Sequence, residues 1–329
     1  MRTKLLGRFR DVDGTEKFVY RNKKGIIEVT WIKNFYKGGI TNFCLPTHYY
    51  CNLGCKFCHL TTEGSKKMNM APIHYSELLD ALMKTWKFID PQPKLLLSFM
   101  GVGEGLLNPE LVTGTFEAFK KKIENKELGK TSSLNLALAT MAPNKERLQG
   151  FIEKMLKEAI PLKIHFSLHS PKDEERYDLI PCTNVSVDEA LSLISNYRQA
   201  INDKPEVSQE ISKYHRLPDS AEIHYTIIKD INDGDEELEK IIELGKKYKL
   251  ILKLLKFNPT KDLKRSPTRE RYWYRRLSKD YDAPVVQYSP PGPNIGSSCG
   301  QFTKHYYLDT KPEEYEDFLA WKEKYEVKE

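Results

Sequence analysis

The sequence predicts an α/β fold, an incomplete (β/α)6 TIM-type barrel carrying a small β-hairpin accessory at its N-terminus. Short strand-like runs recur along the chain with helical patterns between them, the signature of βα units and a parallel sheet. Ahead of the first unit, Phe18-Val19-Tyr20 and Ile26-Ile27-Glu28-Val29-Thr30-Trp31 flank the turn-forming Asn22-Lys23-Lys24-Gly25, which reads as a hairpin. The longest apolar runs, such as Leu95-Leu96-Leu97, are strand-sized.

Residues 1–43 are expected to form the accessory. Strands follow near residues 40–45, 94–100, 134–140, 162–168, 222–228 and 250–257, with helices near 74–88, 109–123, 145–158, 187–200 and 236–247. Thr183-Asn184-Val185-Ser186 offers N-cap residues ahead of one helix, and Asn232-Asp233-Gly234-Asp235 does the same ahead of another. Residues 44–303 then make up the core barrel with a late cysteine loop. Residues 304–329 form a charged helical tail, docked through Phe318 and Trp321.

At 329 residues the chain is long enough for one large domain with a self-sustaining core. Its 40% hydrophobic and 30% charged residues match a water-soluble globular protein, and the absence of an apolar h-region after the first residues predicts a cytoplasmic location with no membrane contact. The net charge of +6 is a small excess of 52 basic over 46 acidic residues. Basic residues bunch between Lys253 and Arg276 with Tyr272, Trp273 and Tyr274 among them, which suits a polyanion such as RNA or simply a solvated helix face.

Six cysteines, three of them within eight residues, are too unevenly placed for a disulfide framework. In Cys51-Asn52-Leu53-Gly54-Cys55-Lys56-Phe57-Cys58, the x3 and x2 spacing puts three thiolates on one loop just after the first barrel strand. Three thiolates bind three irons of a cubane and leave the fourth open. The amino and carboxylate groups of S-adenosylmethionine (SAM) can chelate that open iron, placing the sulfonium beside an electron source. Two other readings use the same residues: haem attachment through Cys55-Lys56-Phe57-Cys58-His59, which belongs to exported proteins, and a zinc site of the three cysteines with His59. After the second strand, Gly101-Val102-Gly103-Glu104 offers a close backbone approach and a carboxylate for an ammonium group. Its place one βα unit after the cysteine motif fits the loop that binds the SAM amino group in radical SAM enzymes.

The resemblance extends further. Cys44 stands ahead of the motif, and Ser297-Ser298-Cys299-Gly300-Gln301-Phe302 lies near the other end. Between them come Phe99-Met100-Gly101-Val102-Gly103-Glu104-Gly105-Leu106-Leu107-Asn108, Phe166-Ser167-Leu168-His169-Ser170, Ile180-Pro181, Ile231-Asn232-Asp233 and Phe257-Asn258-Pro259. This order resembles the RlmN and Cfr family of 23S rRNA adenine methyltransferases over about residues 14–303.

The resemblance implies a [4Fe-4S] cluster on Cys51, Cys55 and Cys58, and SAM held by Gly103, Glu104, Ser167, Leu168, His169 and Asn258. It implies that Cys299 carries a methyl group as S-methylcysteine, that Glu28 removes the substrate proton, and that Cys44 frees the product by forming a disulfide with Cys299. RNA would be the substrate, and flavodoxin or ferredoxin the electron donor. Three departures concern SAM and substrate handling. Only 43 residues precede Cys44, so the family's helical N-terminal domain is expected to be absent. Ala137-Leu138-Ala139-Thr140 replaces the family's Ser-Thr-Ser-Gly stretch, and residues 287–295 replace an Arg-x-x-Gly-Asp-Asp-Ile-like segment.

Overall fold

The computed structural model describes residues 2–33, 39–51, 53–61, 70–215, 217–260, 262–297 and 320–328. It divides into two compact units, one of residues 1–52, 59–137 and 291–329, the other of residues 53–58 and 138–290.

In the first unit, β1 (Lys4–Arg10), β2 (Glu16–Arg21), β3 (Ile26–Ile32) and β4 (Ile40–Cys44) pair antiparallel in chain order, and β5 (Lys94–Phe99) joins β4 in parallel. The expected hairpin is β2–β3, closed by Asn22, whose side-chain oxygen accepts from the amides of Lys24 and Gly25. Strand β1 was not expected. Gly7 interrupts its pattern at a register shift, and Arg8 and Arg10 give it no apolar alternation, because both spend their charge on buried Glu16 of β2. Helix α1 (Tyr75–Thr85) opens with a capping box between His74 and Glu77, and α2 (Pro109–Glu124) places Pro109 in its first turn, where a missing N–H costs nothing. Trp321 packs on Phe9 with ring centroids 5.1 Å apart, as expected of the tail; Phe318 lies outside the described residues.

Strand β6 (Ser133–Thr140) begins in the first unit and ends in the second. In the second, β7 (Leu162–Ser167), β8 (Ala221–Thr226), β9 (Ile251–Leu255) and β10 (Val285–Tyr288) run parallel in chain order. Around them lie α3 (Lys145–Lys157), α4 (Asp173–Leu179), α5 (Val187–Asn202), α6 (Pro205–Ser212), α7 (Asp235–Tyr248) and α8 (Pro267–Asp280). All six expected strands form. The addition is β10, a four-residue strand after a proline whose partly exposed residues carry no core-facing run. Helix α5 is capped by Ser186 in a capping box with Glu189. Helix α7 starts at Gly234 without a side-chain cap, and Asn232 is used elsewhere. The strands of each unit follow chain order, and neither set closes on itself.

Candidate active site

The stem of the cysteine loop is laced to the turn after β5. Leu45 N–H donates to Ser98 O at 2.8 Å, Gly101 N–H to Leu45 O at 3.0 Å, and Thr47 N–H to Val102 O at 2.8 Å. Asn108 Nδ2 holds the same stem by donating to Thr47 O at 2.8 Å and to Ile73 O at 2.9 Å. Gly103 is required here: its φ is +105°, and a Cβ would come within 2.3 Å of Thr47 Oγ1 and 2.5 Å of His48 Nδ1. Glu104 is buried, and its Oε1 accepts from Leu106 N–H at 2.9 Å, so one carboxylate oxygen caps the short helical turn that follows. His48, beside this turn, is held neutral by burial, its pKa lowered to about 4.

Cys51 lies in the first unit's share of the loop and is half-buried. In the second unit Cys55 is buried, Cys58 N–H donates to Cys55 O at 3.0 Å, and Lys56 N–H donates to Leu179 O at 3.0 Å. Gly54, at φ +83°, supplies the bend that precedes them. Cys55 packs with Leu179 and Ile180 in an apolar cluster that Phe57, Cys58, Met141 and Cys182 border, and its Sγ lies 3.1 Å from Met141 Sδ. Thiols in so apolar a setting suit an iron–sulfur cluster better than a hydrated ion.

The turn after β7 is built around two residues. His169 adopts a left-handed backbone at φ +56°, and its Nδ1 accepts from Thr226 N–H at 3.1 Å while Asn232 Nδ2 donates to its carbonyl at 2.6 Å. Its edge meets the Phe57 ring at 4.6 Å. Burial lowers its pKa to about 3, so the ring is a neutral acceptor that shapes the turn. Arg176, fully buried on α4, donates to the carbonyls of Ser167, Leu168, Met141 and Val185 and to Thr183 Oγ1. It ties the C-terminal ends of β6 and β7 to the loop before α5. The sequence reading missed Arg176, because a lone arginine in a charged helix carries no visible sign of burial. Asn258 is half-buried in the loop after β9.

Glu28 and Cys44 lie in the first unit. On β3, Glu28 is buried and its Oε2 is 2.6 Å from Nζ of Lys17, itself fully buried. Cys44 ends β4 opposite Thr30 of β3, two residues from Glu28. Cys299 lies outside the described residues, but the segment leading to it is described up to Ser297. Lys17 Nζ donates to Gly296 O at 2.5 Å, and Thr30 Oγ1 donates to Ser297 O at 3.4 Å. The strand face with Glu28, Thr30 and Cys44 thus receives the chain just before Cys299.

A second polar cluster, also missed, crosses β7, β8 and β9. His165 Nδ1 is 2.6 Å and His224 Nε2 is 2.9 Å from Glu222 Oε1. These are metal-ligand types, but Lys253 Nζ also contacts Glu222 Oε1 at 2.6 Å and Lys163 Nζ contacts Oε2 at 2.8 Å, so the carboxylate is already neutralised. Although burial disfavours its charge, His165, His224 and Lys253 together hold the Glu222 pKa well below the ordinary carboxylate range. The sequence signal was there, in polar residues at alternate positions of otherwise apolar strands.

The family model described as the radical SAM superfamily matches residues 45–244, a stretch that opens at the stem and takes in the cysteine loop, the Gly103 turn, the His169 turn and Asn232. The chain belongs to the radical SAM superfamily. Membership implies a [4Fe-4S] cluster and SAM as cofactors. Among the relatives of this radical SAM protein is one named a probable dual-specificity RNA methyltransferase RlmN, from Thermotoga neapolitana, 26% identical over 300 residues that cover 89% of this chain and 77% of the relative. The ribosomal RNA large subunit methyltransferase Cfr of Shouchella clausii is 23% identical over 290 residues, covering 85% and 73%. A crystal structure of a radical SAM methyltransferase from Sphaerobacter thermophilus shares the fold, with a TM-score of 0.66 at 19% identity over 92% of this chain and 81% of that one. No helix among the described residues is long and apolar enough to cross a membrane.

Proposed function

We propose that this chain is a radical SAM methyltransferase that methylates an sp2 carbon of an adenine in ribosomal or transfer RNA by way of an S-methylcysteine. The observation that carries this reading is the approach of the Cys299-bearing segment to the strand face of Cys44 and Glu28, through Lys17 to Gly296 and Thr30 to Ser297. Radical SAM chemistry of another kind would have no use for Cys44 and Cys299, whereas the described segment that leads toward Cys299 is bonded to the β2–β3 hairpin that carries Glu28 and Thr30. The names of the RlmN and Cfr relatives support RNA as the substrate.

Cys51, Cys55 and Cys58 would hold the cluster, and Gly103, Glu104, Ser167, Leu168, His169 and Asn258 would surround SAM. When bound, these cofactors supply the methyl group and the adenosyl radical that takes a hydrogen atom from that methyl once it is on Cys299. The protein does the rest. Cys299, as a thiolate, displaces S-adenosylhomocysteine from one SAM and keeps its methyl group. Once the carbon is joined to the substrate, the adduct has one electron and one proton to lose: the electron would be taken up at the cluster, when bound, and Glu28 accepts the proton from the substrate carbon. Cys44 then attacks the Cys299 sulfur. The C–S bonding electrons pass to the product's methylene carbon, which gains a proton and becomes the methyl group, leaving a Cys44–Cys299 disulfide. Flavodoxin or ferredoxin fits as the source of the electron that SAM cleavage consumes. Residues 1–43 serve as the accessory, residues 44–303 as the core and residues 304–329 as the tail.

The test is anaerobic reconstitution with iron and sulfide, followed by methyl-labelled SAM, dithionite and RNA. Mass spectrometry should find 5′-deoxyadenosine, label on Cys299, and then label in adenine. SAM cleavage with Cys299 unlabelled would overturn the methyl-carrier route.

A further inference from the structure

The turn between β1 and β2 grips the segment that leads to Cys299. Asp13 Oδ2 accepts from Gly292 N–H at 2.7 Å. Asp11 Oδ2 accepts from Asn294 N–H at 2.7 Å, and Asp11 Oδ1 accepts from Asn294 Nδ2 at 2.8 Å. These are charge-assisted hydrogen bonds from backbone and amide donors to carboxylates, roughly twice as strong as neutral ones. Asp11 is buried, so its carboxylate oxygens rely on donors from the protein such as these for their hydrogen bonds.

The turn is itself braced. Asp11 N–H donates to Thr15 O at 2.9 Å and Gly14 N–H to Asp11 O at 3.0 Å, while Asp13 Oδ1 accepts from Thr15 N–H at 2.8 Å. On the segment's side, Gly292 has φ +61°, and a Cβ there would meet Ser297 Cβ at 2.8 Å and Thr15 Cγ2 at 3.0 Å. Trp321 Nε1 donates to Asn294 O at 2.7 Å. Hairpin and segment are therefore joined at Gly292, Asn294, Gly296 and Ser297. Cys299 follows Ser297 by two residues, a span of at most about 7 Å.

We infer that Asp11 and Asp13 are positioning residues for Cys299, fixing the point from which its thiolate is presented to SAM and to Cys44. The inference rests on the methyl-carrier reading above. It assigns to the accessory hairpin a part in the reaction that neither carboxylate performs by touching a reactant.

The experiment compares Asp11→Ala, Asp13→Ala and Asp11→Asn with wild type in the reconstituted full-length enzyme. It reads hydrogen–deuterium exchange at the amides of Gly292 and Asn294, the rate of Cys299 methylation, and cluster absorbance. The alanine variants should exchange faster at both amides and methylate Cys299 about tenfold more slowly, with the cluster absorbance of wild type. Asp11→Asn keeps an acceptor oxygen and should recover much of the rate. Should Asp11→Ala fail to fold, Asn294→Ala removes one of its hydrogen bonds from the segment's side and should slow methylation by a smaller factor. Unchanged exchange would mean the clasp does not hold, and faster exchange with wild-type methylation would mean it does not position; either result overturns the inference. If wild type never methylates Cys299, the methyl-carrier reading fails instead, and the inference with it, even where exchange shows the clasp intact.

Discussion

Cys44 and Thr30 face each other across the antiparallel pair of β3 and β4, and the Thr30 hydroxyl reaches on to the carbonyl of Ser297 at 3.4 Å. One threonine thus connects a strand-end thiol to the chain on its way to a second thiol. Cys44 stands seven positions ahead of the nearest cysteine of the metal-binding motif. Cys44→Ala is therefore expected to keep the iron content of wild type and to lose multiple-turnover methylation of RNA, while a first methyl group still reaches Cys299. Iron analysis beside product counting per enzyme molecule checks this.

The Lys17–Glu28 pair is buried on both sides, with the two groups 2.6 Å apart. Removing one partner strands the other charge away from water. Lys17→Met should cost about 3–5 kcal/mol of stability, and the double change Lys17→Met with Glu28→Leu clearly less. Urea denaturation of the two variants compares them directly. Catalysis responds differently: Glu28→Gln should leave Cys299 methylation in place and stall release of the RNA from the protein.

Gly103 has no room for a side chain and no permitted backbone for one. Gly103→Ala is expected to push Thr47 and His48 apart and to disturb the stem that carries Cys51. A loss of more than about 2 kcal/mol in stability and much weaker SAM binding should follow. Equilibrium binding of SAM to the reconstituted variant is the measurement.

The buried, neutral His169 makes stability depend on pH. Burial lowers its pKa from the ordinary histidine value of 6.5 to about 3 on folding. The unfolded chain therefore binds the proton more readily, and the stabilisation is complete above 6.5 and lost progressively as pH falls toward 3. Across that window this one residue contributes a slope on the order of 1.4 kcal/mol per pH unit. His169→Asn keeps an acceptor for Thr226 N–H and tolerates the left-handed backbone, so its urea midpoint should fall less steeply between pH 7 and pH 5 than that of wild type. Equal slopes would sink the assignment.

The barrel strands were legible because several carry short apolar runs, as in Leu95-Leu96-Leu97 of β5 or Ile251-Leu252 of β9. The cysteine loop was legible because three thiols in eight residues have few other uses. The parts that hold the site were not. Asp11 and Asp13 read as an ordinary polar turn, since nothing in their neighbourhood announces partners 279 and 283 residues away. Arg176 sits among Asp173, Glu174 and Glu175, a context that argues for solvent; only the fold reveals that α4 turns this side chain inward against carbonyls. Asn232 looked like a helix cap and instead bridges His169 O, Thr226 O and Ile228 N–H. Long-range partners of polar groups have no periodicity to read.

The hydrogen bonds of Arg176 all end on neutral oxygens among the described residues. Burial lowers the guanidinium pKa to about 10. A buried cation held by carbonyl oxygens keeps those oxygens in one arrangement, so the backbone of Ser167 and Leu168 is set before any ligand arrives, and binding at that turn does not include the cost of ordering it.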